Sequence, residues 1–464
     1  MYGRNEMELV LILLYFIVLI VIGIIANKRT KKNPEDYFLA NRTFGPFVLF
    51  FTLAATNFSA FTFLGFAGAA YKYGFGQYGI MGVGTALMPI MFFIIGRKIW
   101  KIGKKYGYIT PPEIVGERTK SYSLRLLFMF IMVIYTIPYL AIQAIGAGIL
   151  LSTVANISIK IGASITMMVI VLYVAMGGMR GSSWTDVIQG LIMIIAMILA
   201  LLFVSQGLGG FENANIDAFE RNPQLFARPG GNGYFTFEIW FSFMLLWIFV
   251  DPMFPQLFSR FYTARSEKSL KYSMILYPLL ISFLFLVPVL IGVWATATDL
   301  DVPPDMILPM MVKNYAPNWV FTIVMIGAIA ALMSTADSQL LSLSTMLIRD
   351  LKIRNEIFFS KIITILLGIF AIIFVLFFDP SKGIFSTLVK TTFSGLVVLF
   401  PTTFAVLYFK RISKWACIFS IIFGELSIII FRMGILPTFG FLDGILAFFI
   451  AFMVLIMINI SNNY

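Results

Sequence analysis

The sequence predicts an all-α polytopic membrane protein with thirteen transmembrane helices, and three observations support this prediction. Of the 464 residues, 60% are hydrophobic and 12% charged, with a mean hydropathy of +0.93. A soluble domain carries about 25% charged residues, so this apolar excess must face lipid. Apolar stretches long enough to cross a bilayer recur along the chain, and basic residues cluster between them. A soluble enzyme, a nucleic-acid-binding protein and a disordered protein are excluded.

Thirteen segments approach the roughly 20 residues that a membrane-spanning helix needs. They cover residues 8–26, 45–71, 78–97, 124–151, 158–177, 184–205, 235–258, 272–297, 318–348, 356–378, 383–408, 414–432 and 438–460. The first segment lacks the basic start and cleavage site of a signal peptide, so it is interpreted as a membrane helix.

Basic residues predict the orientation of these spans. Loops after odd-numbered spans are rich in Lys and Arg, for example Arg260, Arg265 and Lys268 after the seventh, whereas the opposite loops carry single basic residues. Cytoplasmic loops carry this excess. We therefore expect a multi-pass protein of the plasma membrane with its N-terminus outside and its C-terminus in the cytoplasm.

The chain contains no histidine, and its single cysteine, Cys417, lies in an apolar run. The commonest general base and metal ligand is thus missing, and thiolate clusters are excluded. The glycine-rich stretch 65–79 has no Walker lysine. We expect neither an enzyme nor an organic cofactor, and any energy for transport would come from an ion gradient.

Residues 1–464 are interpreted as a single transmembrane transporter domain with two internal repeats. Spans two to six (45–205) and seven to eleven (235–408) form two sets of five, and an odd number of spans gives the two repeats opposite topology. The helix at 8–26 precedes them, and two helices within 414–460 follow. This inverted five-plus-five arrangement is typical of secondary transporters.

The first span of each repeat carries a signal for a break. Pro252 and Pro255 lie inside span seven, where proline removes helix hydrogen bonds. Span two has no central proline but contains a small, polar patch at 54–60. This patch fits either an ion site or a close-packed helix interface.

Ionisable residues inside lipid are costly and mark function by default. In span nine, Ser334, Asp337 and Ser338 share one helix face, which suits a hard cation, although Ser and Thr also join helices by hydrogen bonds. Asp186 opens span six, where it fits a helix cap. Lys390, in span eleven, could simply extend its ammonium group towards water.

Four motifs resemble the sodium:solute symporter family, from about Asp36 to Lys414. They are Asp36-Tyr-Phe-Leu-Ala-Asn-Arg42, Thr110-Pro-Pro-Glu113 with Arg118, Gly177-Gly-Met-Arg-Gly-Ser-Ser-Trp-Thr-Asp186 and Ala331-Leu-Met-Ser-Thr335. Asn41 stands where the family usually has glycine. The resemblance implies a fold of the leucine-transporter type and sodium-coupled symport of a small solute by alternating access.

The resemblance also implies sodium ligands. The main site would use the backbone carbonyls of Ala55, Phe58 and Ala331 and the hydroxyls of Ser334 and Thr335. A second cation site, found in some family members, would use an Asp at the start of span six. Its ligands would be Asp186, Ser334, Asp337 and Ser338, and the two carboxylates could instead share a proton.

Solutes in this fold bind near the midplane of the membrane. The polar candidates there are Thr56, Asn57, Ser59, Tyr139, Gln143, Trp247, Asp251, Lys390 and Thr391. The expected solute is a small carboxylate-bearing organic acid or amino acid, and the expected partners are this solute, sodium and the lipid bilayer, with no nucleic acid and no obligate protein partner. The alternatives are a proton-coupled carrier of the same fold and a membrane sensor.

Overall fold

The computed structural model of the chain describes residues 2–31, 33–377 and 383–461. Throughout these ranges the regular structure is helical and no β-strand forms, which confirms the all-α prediction for the described chain. The predicted span 356–378 ends on a residue outside these ranges, as do the extremes of the predicted domain 1–464.

The first half of the chain begins with a long peripheral helix and contains one bent pair of helices. The helices are α1 (Tyr2–Arg29), α2 (Pro34–Leu39), α3 (Pro46–Asn57), α4 (Phe66–Tyr73), α5 (Gly76–Tyr106), α6 (Pro111–Thr119), α7 (Tyr122–Ala155), α8 (Ile159–Gly207) and α9 (Phe211–Arg221). The motif at 110–113 starts α6 as a capping box, in which Thr110 accepts from the Glu113 N–H and the Glu113 carboxylate accepts from the Thr110 N–H.

The second half contains the other bent pair and ends with two outer helices. The helices are α10 (Phe237–Val250), α11 (Pro255–Thr263), α12 (Glu267–Ala295), α13 (Ile307–Tyr315), α14 (Asn318–Asp350), α15 (Glu356–Leu376), α16 (Ile384–Leu388), α17 (Ser394–Val397), α18 (Phe400–Tyr408), α19 (Lys414–Arg432) and α20 (Asp443–Ser461). A π-helical turn at Val389–Phe393 joins α16 to α17.

Two spans are broken at corresponding places. The helical segments Pro46–Asn57 and Phe61–Tyr73 bend by 57°, and Phe237–Met253 and Pro255–Thr263 bend by 56°. Extended backbone at Phe58 makes the first break without proline, and Pro255 starts the helix after the second. Both breaks lie in the spans where the sequence predicts them.

Helix α8 contains 49 residues, with a kink at Gly178. At 1.5 Å per residue it would be about 74 Å long, more than twice the roughly 30 Å hydrocarbon core. Gly178 has φ +53°, and a Cβ at this position would lie 2.6 Å from the carbonyl oxygen of Tyr37. Only glycine fits there. Gly178, in the motif at 177–186, therefore forms the kink between the two helical segments of α8.

Among the described helices, nine are long and apolar enough to cross a membrane, or eleven when each bent pair is one span. The chain is thus a multi-pass membrane protein, whereas the count of thirteen stays a prediction. It requires α8 to form two spans and the 31-residue helix α5 to form another.

Helix α14 lies at the centre of the bundle. Its most apolar 18-residue window is 83% buried, against 33% for those of α1 and α15. Helices α1 and α15 instead expose rows of aliphatic and aromatic side chains, as expected for surfaces in contact with lipid. The polar face of α14, with the residues at 334–338, therefore points into the protein.

Candidate functional site

The break that follows α3 lies against the middle of α14. There, hydroxyl groups of α14 lie within hydrogen-bond distance of backbone carbonyl groups at the end of α3. Ser334 Oγ lies 2.9 Å from the Ala55 carbonyl oxygen and 3.0 Å from that of Ala331. Thr335 Oγ1 lies 2.7 Å from the Phe58 carbonyl oxygen and 3.2 Å from that of Ala331. The structure thus brings together all five expected ligands of the main sodium site.

Chemically, this group of oxygens can hold a small cation. Each hydroxyl carries one proton, so Ser334 and Thr335 can each donate to only one of the carbonyls around them at a time. The carbonyl oxygens that receive no proton remain within 3.2 Å of these hydroxyl oxygens and keep lone pairs that a cation could use. In transporters with inverted repeats, unwound backbone carbonyls beside a broken helix are common ligands of sodium.

A second polar cluster lies one turn further along α14. The Asp337 carboxylate accepts hydrogen bonds from the hydroxyls of Tyr173 and Ser182, each at 2.8 Å, and from Ser338 at 2.9 Å. Asp186 Oδ2 accepts from the Thr52 hydroxyl. Asp186, Asp337 and Ser338 therefore lie together, as expected for a second cation site. Ser334 contributes to the main group instead.

This second cluster also contains a cation of the protein itself. The guanidinium of Arg260, on α11, is completely buried and lies 3.2 Å from Asp186 Oδ2. Counting Arg260 with the basic loop residues is therefore wrong, because the helix after the break carries it into the protein. Tyr173 and Thr52 are further members that the sequence analysis missed. Their neighbours are distant in sequence, so no local pattern could identify them.

Several expected solute-binding residues meet between the two breaks. Asn57 Nδ2 donates to Asp251 Oδ2 at 3.2 Å and to the hydroxyl oxygen of Tyr277 at 2.7 Å. The Tyr139 hydroxyl donates to Ser59 Oγ at 3.2 Å. The Gln143 side-chain oxygen accepts from the Ala60 N–H at 3.0 Å, next to the break. Tyr277 is an addition to the expected set.

Aromatic side chains form the apolar wall of this region. The Trp247 ring centroid lies 5.5 Å from that of Phe61 and 5.4 Å from that of Phe393. Phe254 and Tyr139 also pack against Phe393. The indole N–H of Trp247 is buried and meets no acceptor within the described part of the chain, so a bound solute could accept from it.

Three expected solute-binding residues lie elsewhere. Lys390 is exposed, and its backbone carbonyl accepts from Arg432. Thr391 donates to the carbonyl of Thr387 in its own helix at 2.7 Å. The hydroxyl of Thr56 lies 2.9 Å from that of Ser338 and so belongs to the second cluster. The structure does not join Lys390 or Thr391 to the group around Asn57.

Known proteins resemble this chain along most of its length. The sodium/pantothenate symporter of Escherichia coli is 29% identical over 437 residues, covering 90% of this chain and 89% of that protein. The one of Haemophilus influenzae is 28% identical over 428 residues, covering 89% and 88%. A high-affinity proline transporter of Bacillus subtilis is 25% identical over 441 residues, covering 91% of each chain.

Solved structures share the fold. A Na⁺-coupled sialic acid symporter, in a substrate-bound outward-open state, superposes with a TM-score of 0.82 at 18% identity, covering 99% of this chain and 97% of the other. A nucleobase-cation-symport-1 family transporter in a closed conformation superposes with a TM-score of 0.62 at 12% identity, covering 92% and 94%.

The family resemblance of the four motifs is confirmed by a match to the family as a whole. The model of the sodium:solute symporter family covers residues 37–424, from the first motif through α18 and into α19. The chain therefore belongs to the sodium:solute symporter family and is a sodium-coupled symporter of a small solute.

Proposed function

We propose that the chain couples solute uptake to sodium through one site formed by Ala55, Phe58, Ala331, Ser334 and Thr335. The observation that carries this proposal is the convergence of their oxygens at the break in α3. This site contains no full negative charge, so a weakly held, exchangeable monovalent ion suits it better than a divalent ion.

The proposed solute is a small organic acid or amino acid that carries a carboxylate. The relatives named for pantothenate and proline transport handle solutes of this kind. Because Lys390 is exposed, the carboxylate would be bound by neutral donors, of which the unpartnered indole N–H of Trp247 is the best candidate; both N–H groups of Asn57 already donate to Asp251 and Tyr277. Asp251 would then face a hydroxyl or ammonium group of the solute.

We also propose the finer architecture. Thirteen spans in an inverted five-plus-five repeat of the leucine-transporter type fit the nearly equal bends of the two broken spans and the length of α8. The protein would lie in the plasma membrane with its N-terminus outside, as the distribution of basic residues favours.

Thermal stabilisation of the purified protein tests the proposal. Ligands that bind only the folded state raise its stability by mass action. The protein is heated in sodium or choline with a panel of small carboxylates and amino acids. We expect one solute to raise the unfolding temperature, and by more in sodium than in choline. A solute effect that ignores sodium and follows pH instead would indicate the proton-coupled carrier.

Paired variants assign the effect to the site. Ser334→Ala with Thr335→Ala should raise the sodium concentration for half-maximal stabilisation about tenfold or more, as expected for a loss of roughly 1.4 kcal/mol of binding free energy. Ser420→Ala is the matched control, because Ser420 also donates to a carbonyl of another helix, that of Ala451 at 2.7 Å, but outside both repeats. An unchanged sodium requirement in the first variant would contradict the site.

A further inference from the structure

Arg260 connects three helices through its guanidinium. Its Nε donates to Thr52 Oγ1 on α3 at 2.9 Å. Its Nη2 donates to Ser182 Oγ at 2.9 Å and Asp186 Oδ2 at 3.2 Å on α8, and to Ser338 Oγ on α14. A buried charge is stable only where it is paired and hydrogen-bonded, and these contacts supply both.

The partners of Arg260 are the oxygens that a second cation would need. Ser338 Oγ accepts from Arg260, donates to Asp337 Oδ1 and contacts the Thr56 hydroxyl. A hydroxyl has one proton and two lone pairs, so this oxygen has no lone pair left for an ion. Ser182 likewise accepts from Arg260 and donates to Asp337.

Arg260 brings a full positive charge into the cluster. A second cation at Asp186 would therefore lie beside a like charge in a water-poor interior, where repulsion is strong. Without Arg260, the cluster would present two carboxylates and several hydroxyls. Asp186 Oδ1 is buried without a hydrogen-bond partner among the described residues, so in the absence of Arg260 it would be available as an ion ligand.

We propose that Arg260 takes the place of a second transported cation, so that this chain moves one sodium ion per solute molecule. The inference rests on the proposed function, which assigns that single ion to Ser334 and Thr335. In this proposal Arg260 determines the coupling ratio. The carboxylates of Asp186 and Asp337 balance the positive charge of Arg260 and not that of a second sodium ion.

The coupling ratio is measured directly in proteoliposomes. An outward solute gradient is set against an inward sodium gradient, and the ratio follows from the gradients at which net solute flux stops. The wild-type protein should transport one sodium ion per solute, with a Hill coefficient for sodium near 1. Arg260→Ala should bind a second sodium ion, with a Hill coefficient approaching 2 and a second equivalent in direct ²²Na⁺ binding.

Two further variants serve as controls. Arg180→Ala removes a different arginine, which lies on α8 outside the cluster and pairs with Asp36 at 2.6 Å. This variant should still transport one sodium ion per solute. Arg260→Ala with Asp186→Asn removes the cation together with one carboxylate, and should also keep one. A second equivalent in the Arg180 variant would show that any lost arginine has this effect and would overturn the proposal.

The wild-type ratio decides the question even where Arg260→Ala does not fold. Two sodium ions per solute in the wild type would overturn the proposal, as would one equivalent in a folded Arg260→Ala protein. If the wild type shows no sodium dependence at all, the proposed function itself fails. A sodium dependence that requires Ser334 and Thr335, together with a ratio of two, would contradict only the role of Arg260.

Discussion

The backbone N–H of Ile384 donates to both carboxylate oxygens of Asp305, with its nitrogen 3.0 Å from Oδ2 and 3.2 Å from Oδ1. Asp305 lies in the loop between α12 and α13, and Ile384 is the first residue of α16. The contact therefore ties a loop to the start of a helix, and its strength depends on the charge of one buried side chain.

The first prediction concerns pH. Burial raises the pKa of Asp305 to about 7, although the Ile384 N–H and nearby Lys72 oppose the rise. Between about pH 4 and 7 the folded protein then holds a proton that the unfolded chain has lost. Stability from this group is complete at low pH and is lost as pH rises towards 7. The change is roughly 4 kcal/mol at most, at about 1.4 kcal/mol per pKa unit.

Unfolding temperatures of the wild type and Asp305→Asn from pH 5 to 8 check this. Asparagine keeps an acceptor oxygen without the titration, so the variant should show a smaller decline with pH. Asp299→Asn is the control in the same loop, because the Asp299 side chain is 95% exposed. Parallel pH curves for the wild type and Asp305→Asn would show that Asp305 does not titrate in this range.

The second prediction concerns the kink in α8. Gly178→Ala places a Cβ against the Tyr37 carbonyl and forces alanine to adopt φ +53°. We expect a loss of about 1–3 kcal/mol of unfolding free energy. Gly181→Ala is the matched control, because the nearest atom to its Cβ is 3.5 Å away. Equal unfolding temperatures for the two variants would contradict the strain at Gly178.

The third prediction concerns a buried ion-pair cluster at the start of α7 and the end of α14. Arg125 lies 2.7 Å from Asp350 and 3.4 Å from Glu113, and all three side chains are buried. Arg125→Gln leaves the buried Asp350 carboxylate without its cation, at an expected cost of about 3–5 kcal/mol, whereas Glu113 keeps its ion pair with Arg349 at 3.0 Å. Arg221→Gln, which breaks an exposed pair with Asp299, should change the unfolding temperature little.

The fourth prediction concerns orientation. Cys417 is buried, so Cys417→Ser provides a background for single-cysteine labelling. On that background, Glu212→Cys in α9 should react with a membrane-impermeant maleimide on intact cells. Lys105→Cys, at the end of α5, should react only after permeabilisation. Both positions are exposed, so the reverse pattern would mean that the N-terminus is cytoplasmic.

Sequence reasoning predicted the helical class, the family and which two spans are broken. Apolar length and proline are local signals, and Pro252 and Pro255 marked the second break directly. The five main-site residues came from the resemblance and lie together in the structure.

Residues whose role depends on distant partners were harder to predict. Arg260 meets Asp186 across 74 residues of sequence, and a count of basic residues near span ends assigns it to a loop. Lys390 was equally hard to place from its sequence context. Its segment contains Ser386, Thr387, Thr391 and Thr392 among apolar residues, so the sequence does not show which side of the helix is buried. The structure leaves Lys390 exposed.

The burial of α14 has a consequence for how the protein can diverge. A helix with a lipid-facing side can exchange one aliphatic residue for another at little cost, because lipid adapts to any apolar shape. Helix α14 has almost no such side, so a changed side chain meets close-packed protein in nearly every direction. Among relatives, substitutions should therefore accumulate in α1 and α15 and remain rare in α14, which we expect to be the most slowly changing helix of the three.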